Sequence, residues 1–231
     1  MAKCLFVTGT GTDVGKTYVT ALIVKKLRDS GLNAGYYKAA ISGAEVAGNG
    51  NFLPGDALYV NEIAGLNEKS SYLVSYVYPE AVSPHLAAKI NRLPINMEKI
   101  KVDFKQATQR RDFLTMEGSG GIVCPLRWDE QEKFGLDDVI KRLGLPVIIV
   151  ATAGLGTINA TVLTVEHLNA ANIPVRGIIM NNFHSGDLME EDNRRMIEEM
   201  TKVPVLALVK DGDKELDIDI AALSALYADI N

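Results

Sequence analysis

The stretch Gly9-Thr10-Gly11-Thr12-Asp13-Val14-Gly15-Lys16-Thr17 decides how the rest of the chain is read. It follows the apolar run Cys4 to Thr8, which reads as a strand. It precedes Val19, Leu22, Ile23 and Leu27, whose spacing marks one face of a helix that stops at Asp29-Ser30-Gly31. In that setting the backbone N–H groups of Gly11, Thr12, Asp13, Val14 and Gly15 wrap a polyphosphate at the helix N-terminus. Lys16 reaches its β and γ oxygens and the Thr17 hydroxyl ligates Mg²⁺. The usual pattern places its first glycine five residues before the second; here that position is Thr10, and Gly9 stands one residue earlier. A strand-to-helix turn that binds nothing is the competing reading, and Gly15-Lys16-Thr17 in this context favours the phosphate loop.

Working outward, short apolar runs recur between stretches of helical periodicity, as in βαβ units. The strand candidates are Cys4 to Thr8, Ala34 to Lys38, Phe113 to Glu117, Val147 to Ala151, Val175 to Met180 and Val205 to Val209. Apolar on both faces, they predict an α/β fold of the P-loop NTPase type, single-domain over residues 1–231. Its sheet is mostly parallel, with helices on both faces. A helix capped by the Thr157 hydroxyl is expected to run to Asn172, before Ile173-Pro174. Another runs from about Leu188 to Met200, with Met189, Met196, Ile197 and Met200 as its core face, and Glu190, Glu191 and Asp192 as solvated charges near its start. Arg194 and Glu198 form an i,i+4 pair on it. Ala40 to Gly55, with Ser42-Gly43, Gly48-Asn49-Gly50-Asn51 and Pro54-Gly55, reads as a long functional loop. Asp211 to Asn231 reads as a loop followed by a short helix.

Composition narrows the function classes. Of 231 residues 47% are apolar and 23% charged, which suits a globular chain and excludes disordered or fibrous ones. The net charge of −5 provides no chain-wide footprint for nucleic acid or anionic lipid. Cys4 and Cys124 are too far apart, and in the wrong spacing, for a disulfide framework or a zinc site, so a cytoplasmic setting is expected. Met1-Ala2-Lys3 and the run after it do not build a signal peptide, and the stretch around Val147 to Ala151 is too short to span a membrane.

Three other positions bear on a phosphate site. Glu117 ends a strand and is followed by Gly118-Ser119-Gly120-Gly121, a turn that lets a ligand approach the backbone; it is a candidate second metal ligand. Lys38, at the expected end of the second strand, would neutralise charge on a transferring phosphoryl group, with Ser42 beyond it holding a substrate oxygen. Asp56, at a helix start, is either a plain N-cap or a further metal ligand; spacing alone favours the cap. His85, His167 and His184 belong to no Ser/His/Asp or Cys/His constellation, so side-chain nucleophilic catalysis is not expected.

Gly9-Thr10 through Thr17, Lys38, Ser42-Gly43, Asp56, Ser83-Pro84-His85, Met116 through Gly121 and Gly156-Thr157-Ile158-Asn159 together resemble the dethiobiotin synthetase family, over roughly residues 2–210. The resemblance implies an ATP-dependent closure of a ureido ring on 7,8-diaminononanoate with CO₂. It implies that Thr17, Asp56 and Glu117 hold Mg²⁺, overriding the cap reading of Asp56, and that Lys16 and Lys38 contact the transferred phosphate. Thr12, Ser42 and the Gly120 backbone would meet the carbamate or its diamine, and Asn181 the adenine. It also implies a homodimer with the site at the interface, Asn159 reaching the substrate carboxylate of the other subunit. The chain departs from the family at Gly11, where many relatives carry Asp, at Asp13 for Glu, and at Ala39 for Pro. Val209 to Asp213 has no match to the base-recognition segment.

Two other readings compete. A partitioning or positioning P-loop ATPase switch would carry a Lys early in the loop, where Gly11 stands, and often a basic or amphipathic surface. A glutamine-dependent synthetase would need a glutaminase domain for which 231 residues leave no room.

Overall fold

A computed structural model describes residues 2–48 and 50–230. Met1, Asn49 of the predicted loop and Asn231 lie outside the described residues. The chain opens with β1 (Lys3–Gly9), α1 (Lys16–Asp29) and β2 (Ala34–Ser42), then a small hairpin of β3 (Glu45–Val46) and β4 (Phe52–Leu53). There follow α2 (Gly55–Ile63), β5 (Val74–Tyr78), α3 (Pro84–Ile90), α4 (Met97–Thr108) and β6 (Phe113–Glu117). A second hairpin, β7 (Pro125–Trp128) and β8 (Lys133–Gly135), leads into α5 (Leu136–Leu143). The remainder is β9 (Val147–Thr152), α6 (Thr157–Ala170), β10 (Val175–Asn181), α7 (Leu188–Thr201), β11 (Val205–Val209), α8 (Ile220–Ala225) and β12 (Ala228–Asp229).

The main sheet runs β11-β10-β9-β1-β6-β2-β5, all parallel, with β12 antiparallel to the start of β1. Alternation along the strands sorts two cores. Leu5, Val7, Tyr36, Ile148 and Val150 pack beneath α1, α2 and α8; Phe6, Tyr37, Met116, Ile149 and Met180 pack against α4, α5 and α6. Each fully buried aliphatic or aromatic side chain contributes roughly 1.5–3 kcal/mol. The predicted face of α1 is the buried one, with Val19, Ile23 and Leu27 fully covered.

Several expectations need correction. The second strand does not end at Lys38: Ala39, Ala40 and Ile41 are apolar and buried, so β2 runs on to Ser42, paired with β5, an edge strand the sequence reading omitted. The expected loop from Ala40 to Gly55 therefore contains the end of β2 and the β3–β4 hairpin. Gly156, at φ +90°, and not Thr157, caps α6; Thr157 is its first residue, and the helix stops at Ala170 instead of Asn172. Asp56 caps nothing, because Pro54 holds the N-cap of α2.

The face of α7 is also different. Ile197 is buried, but Met189 and Met200 are 42% and 54% exposed. The inward positions are polar: Asn193 donates through Nδ2 to the Ala153 carbonyl at 2.8 Å, and Glu190, expected to be solvated, is buried beside His184. Arg194 and Glu198 do pair, at 3.7 Å.

Candidate functional site

The phosphate loop lies between the carboxyl end of β1 and α1, where the sheet order divides toward β6 on one side and β9 on the other, the usual ligand crevice of an open parallel sheet. Gly15 caps α1 at φ +88°, in left-handed space that disfavours a side chain. A Cβ there would also lie 2.0 Å from Asn181 Nδ2. Asn181, at the end of β10, donates through that nitrogen to the Val14 carbonyl at 3.1 Å, while its buried Oδ1 has no partner among the described residues. Lys16 folds over its own loop and donates to the Gly11 carbonyl at 2.8 Å.

Lys38 stands directly opposite Glu117 in the β2–β6 register, which is why its ammonium still reaches the carboxyl edge although the strand continues past it. Nζ donates to Glu117 Oε1 at 2.7 Å and to Asp56 Oδ2 at 2.6 Å. The Thr17 hydroxyl donates to Glu117 Oε1 at 2.8 Å, and the Tyr36 hydroxyl to Glu117 Oε2 at 3.0 Å. Glu117, without solvent exposure of its side chain, therefore carries three donors.

Electrostatics follow this packing. Burial pulls the Lys38 ammonium down, but the Glu117 and Asp56 carboxylates outweigh it and hold the group above its ordinary value. Burial raises Asp56, and the Lys38 charge with hydrogen bonds from Lys38 and Thr17 takes it below the usual value. Lys16 is lowered, first by burial and next by the Lys38 charge. Burial, with the Glu117 charge, puts Tyr36 well above the ordinary phenol range, so it stays protonated as a donor.

A cleft of about 630 Å³ is lined by Thr12, Asp13, Gly15, Lys16, Thr17, Lys38, Ser42, Asp56, Glu117 and Gly120, among others. A second cavity of about 670 Å³ shares Thr12, Asp13, Ser42, Ser119 and Gly120 with it and extends to Ser83, Val123 and Cys124. The sequence-derived residues thus meet in one place, with four exceptions. Gly11 contributes a carbonyl to Lys16, Val14 is buried beneath the loop, Asn181 is buried against the Val14 carbonyl and lines neither cavity, and Asn159 is exposed on α6 and lines neither cavity.

Sequence reasoning missed Ser119, whose hydroxyl donates to the Ala40 carbonyl at 2.7 Å and lies inside the glycine turn already noted. It also missed Tyr59, Cys124 and Tyr36, which carry no motif. Thr17, Asp56 and Glu117 offer only oxygen donors, the hard set Mg²⁺ prefers, and the Lys38 ammonium seated between the carboxylates shows that the spot accepts a cation. Among the described residues no group of three or more His, Cys, Asp or Glu is placed to hold a metal ion. Two carboxylates and a hydroxyl fit an ion that keeps waters and phosphate oxygens as its other ligands.

Solved structures of similar shape include the MinC:MinD cell division protein complex of Aquifex aeolicus, with a TM-score of 0.55, 15% identity and coverage of 97% of this chain and 86% of that one. A ParA family ATPase from Chlorobium tepidum follows at 0.54, with 14% identity and coverage of 98% and 89%. At such identities the likeness defines the fold, that of the P-loop NTPases. A family model described as an AAA domain matches residues 3–214. An ATP-dependent dethiobiotin synthetase from Clostridium botulinum (strain Eklund 17B / Type B) is 48% identical over 227 residues, covering 98% of this chain and 99% of the relative. One from Brachyspira hyodysenteriae is 47% identical over 217 residues, covering 94% and 96%. The chain belongs to the dethiobiotin synthetase family and is an ATP-dependent ligase.

Proposed function

We propose that this enzyme closes the ureido ring of dethiobiotin from 7,8-diaminononanoate, CO₂ and ATP. The observation that carries the reading is the convergence of Lys16 and Lys38 on one cleft that opens, through Thr12, Ser42 and Gly120, into a second cavity large enough for a small diamine. A neutral amine of the substrate adds to CO₂ and loses a proton, giving a carbamate. That anionic oxygen attacks the γ-phosphorus and breaks its bond to the bridging oxygen of ADP, so no strong protein base is needed. The other amine then attacks the carbamoyl carbon of the mixed anhydride, closes the ring and expels phosphate.

Lys16 and Lys38 neutralise the transferring phosphoryl group, and Thr12, Ser42 and the Gly120 N–H orient the carbamate and its diamine. Thr17, Asp56 and Glu117 would hold Mg²⁺, which when bound supplies positive charge to the β and γ oxygens. The unpaired Oδ1 of Asn181 supports a contact to the exocyclic amine of adenine, the same side chain bracing the loop through Val14.

We further propose a homodimer. Leu155, Leu163, Leu188 and Met189, on or beside α6 and α7, are 92%, 56%, 86% and 42% exposed, more apolar surface than isolated positions require. Asn159 is exposed at the start of α6 and lies outside its own cleft, in keeping with service to the other subunit. Two free, buried cysteines suit a reducing cytoplasm, and one main sheet that draws strands from both ends of the chain suits a single ATP-binding domain.

The test is phosphate release from the purified protein. It is expected only when the diamine, bicarbonate, Mg²⁺ and ATP are all present. Release that ignores the diamine overturns the reading, and release that answers to DNA or lipid instead favours a P-loop switch.

A further inference from the structure

Glu117 is a carboxylate with divided duties. Its Oε1 accepts from the Thr17 hydroxyl and the Lys38 ammonium on the side of the nucleotide cleft, while Oε2 turns back into the protein and accepts from the Tyr36 hydroxyl. Tyr36 lies on β2 two residues before Lys38, so both side chains leave the strand on the same face, the face that α1 covers. The parallel register sets Tyr36 opposite Thr115 and Lys38 opposite Glu117, which brings the phenol alongside the carboxylate from one strand over. The ring is 1% exposed and packed in the core with Leu5 and Val7, so its hydroxyl has little freedom to leave.

The terminal torsion of a glutamate is broad and roughly two-fold, so packing of the side chain alone does not fix which oxygen faces the cleft. A hydrogen bond from a rigid donor to one oxygen does. Without it a fully buried, charged oxygen would lack a partner and the carboxylate would turn to share the donors on its other side.

We propose that Tyr36 is a positioning residue for the reaction, its phenol anchoring Oε2 of Glu117 so that Oε1 is held toward the metal-nucleotide site. The inference rests on the reading of Glu117 as a ligand of the divalent cation. Outer partners of metal-binding carboxylates affect affinity by about 10- to 100-fold when removed. Tyr36→Phe deletes one oxygen and keeps the ring, and should weaken divalent binding by about tenfold, at the low end because Thr17 and Lys38 still hold Oε1.

The experiment titrates Mn²⁺ into the full-length protein saturated with a non-hydrolysable ATP analogue, following free Mn²⁺ by electron paramagnetic resonance. Nucleotide affinity without metal and the thermal midpoint are measured alongside. Tyr36→Phe is expected to raise the Mn²⁺ dissociation constant while leaving metal-free nucleotide affinity unchanged. Tyr37→Phe is the structural control: its hydroxyl, on the opposite face of β2, contacts Ser75 at 2.6 Å and the Ile100 carbonyl at 3.4 Å, so its loss should lower the midpoint and leave Mn²⁺ binding alone. No shift in Tyr36→Phe, or equal shifts in both variants, overturns the proposal.

Glu117→Gln separates the two levels. If it leaves Mn²⁺ binding intact, Glu117 is not a ligand and the underlying reading fails; if it weakens binding and Tyr36→Phe does not, only the positioning role fails. Should Tyr36→Phe not yield folded protein, the comparison of Glu117→Gln with Tyr36→Phe/Glu117→Gln decides. With the charged oxygen gone, the double variant should bind Mn²⁺ as the single one does, and a further loss refutes the role.

Discussion

Replacing Lys38 by Met would remove one charge while keeping most of the aliphatic stem. The ammonium lies 2.6 Å from Asp56 and 2.7 Å from Glu117, with the Lys38 side chain 5% exposed, so two carboxylates lose a shared cation at once. Glu117 retains the Thr17 and Tyr36 hydroxyls, and Asp56, 40% exposed, retains water. The loss therefore belongs at the low end of what orphaning a buried charge costs, about 3 kcal/mol. For a chain of this length that lowers Tm by roughly 6–12 °C, read by scanning calorimetry near pH 7. Mg²⁺ should raise Tm of the variant more than that of the parent, because the two carboxylates are then free for a divalent ion. Catalysis should suffer differently: charge on the transferring phosphoryl group shifts most in the transition state, so kcat should fall by about 10²–10³. The ATP dissociation constant, from titration calorimetry, should move far less. Equal losses in kcat and ATP affinity would reduce Lys38 to a ground-state contact, and an unchanged Tm would mean the ion-pair triad does not form in solution.

Gly15→Ala should abolish nucleotide binding and cost about 1–2 kcal/mol or more in backbone strain, since φ is +88° and the added Cβ meets Asn181; retention of ATP affinity in a titration would contradict this. Burial pushes the Cys124 thiol up to about 11 from 9.0, with Lys16 and Lys38 pulling the other way, so its thiolate fraction at pH 8 is about a hundredfold below that of an ordinary cysteine. Iodoacetamide should modify it correspondingly slowly, at a rate that climbs with pH toward 11; labelling as fast as a free thiol at pH 8 would refute the buried placement. Asn159→Ala should raise KM for the diamine without altering ATP affinity, and light scattering should give a dimer. A fully active monomer would remove Asn159 from the site.

How much of this was legible in sequence depends on the range of the interaction. β6 and β11 have the predicted bounds, and the buried face of α1 is the predicted one, because strand apolarity and helical spacing are properties of neighbouring residues. The resemblance to dethiobiotin synthetases was likewise legible, since its motifs recur in order along the chain. What failed was nonlocal. β5 alternates Val, Ser, Tyr, Val and Tyr, and is half-buried only because β2 extends alongside it. The spacing of the methionines on α7 marks a core face, yet Asn193 and Glu190 face inward there, bonded to Ala153 and His184.

The sequence by itself determined the phosphate loop, the strand-helix alternation and the family, each written in contiguous residues whose chemistry and spacing act locally. Only the tertiary structure decided that Lys38 shares its charge between Asp56 and Glu117, that Asn181, expected to meet the adenine, also braces the phosphate loop, and that Tyr36 holds an oxygen of Glu117. Those contacts join residues 18 to 167 positions apart, and parallel register brings Lys38 and Tyr36 to Glu117 within hydrogen-bonding distance. Such a register is set by the packing of whole strands against two layers of helices, which no short stretch of the chain specifies.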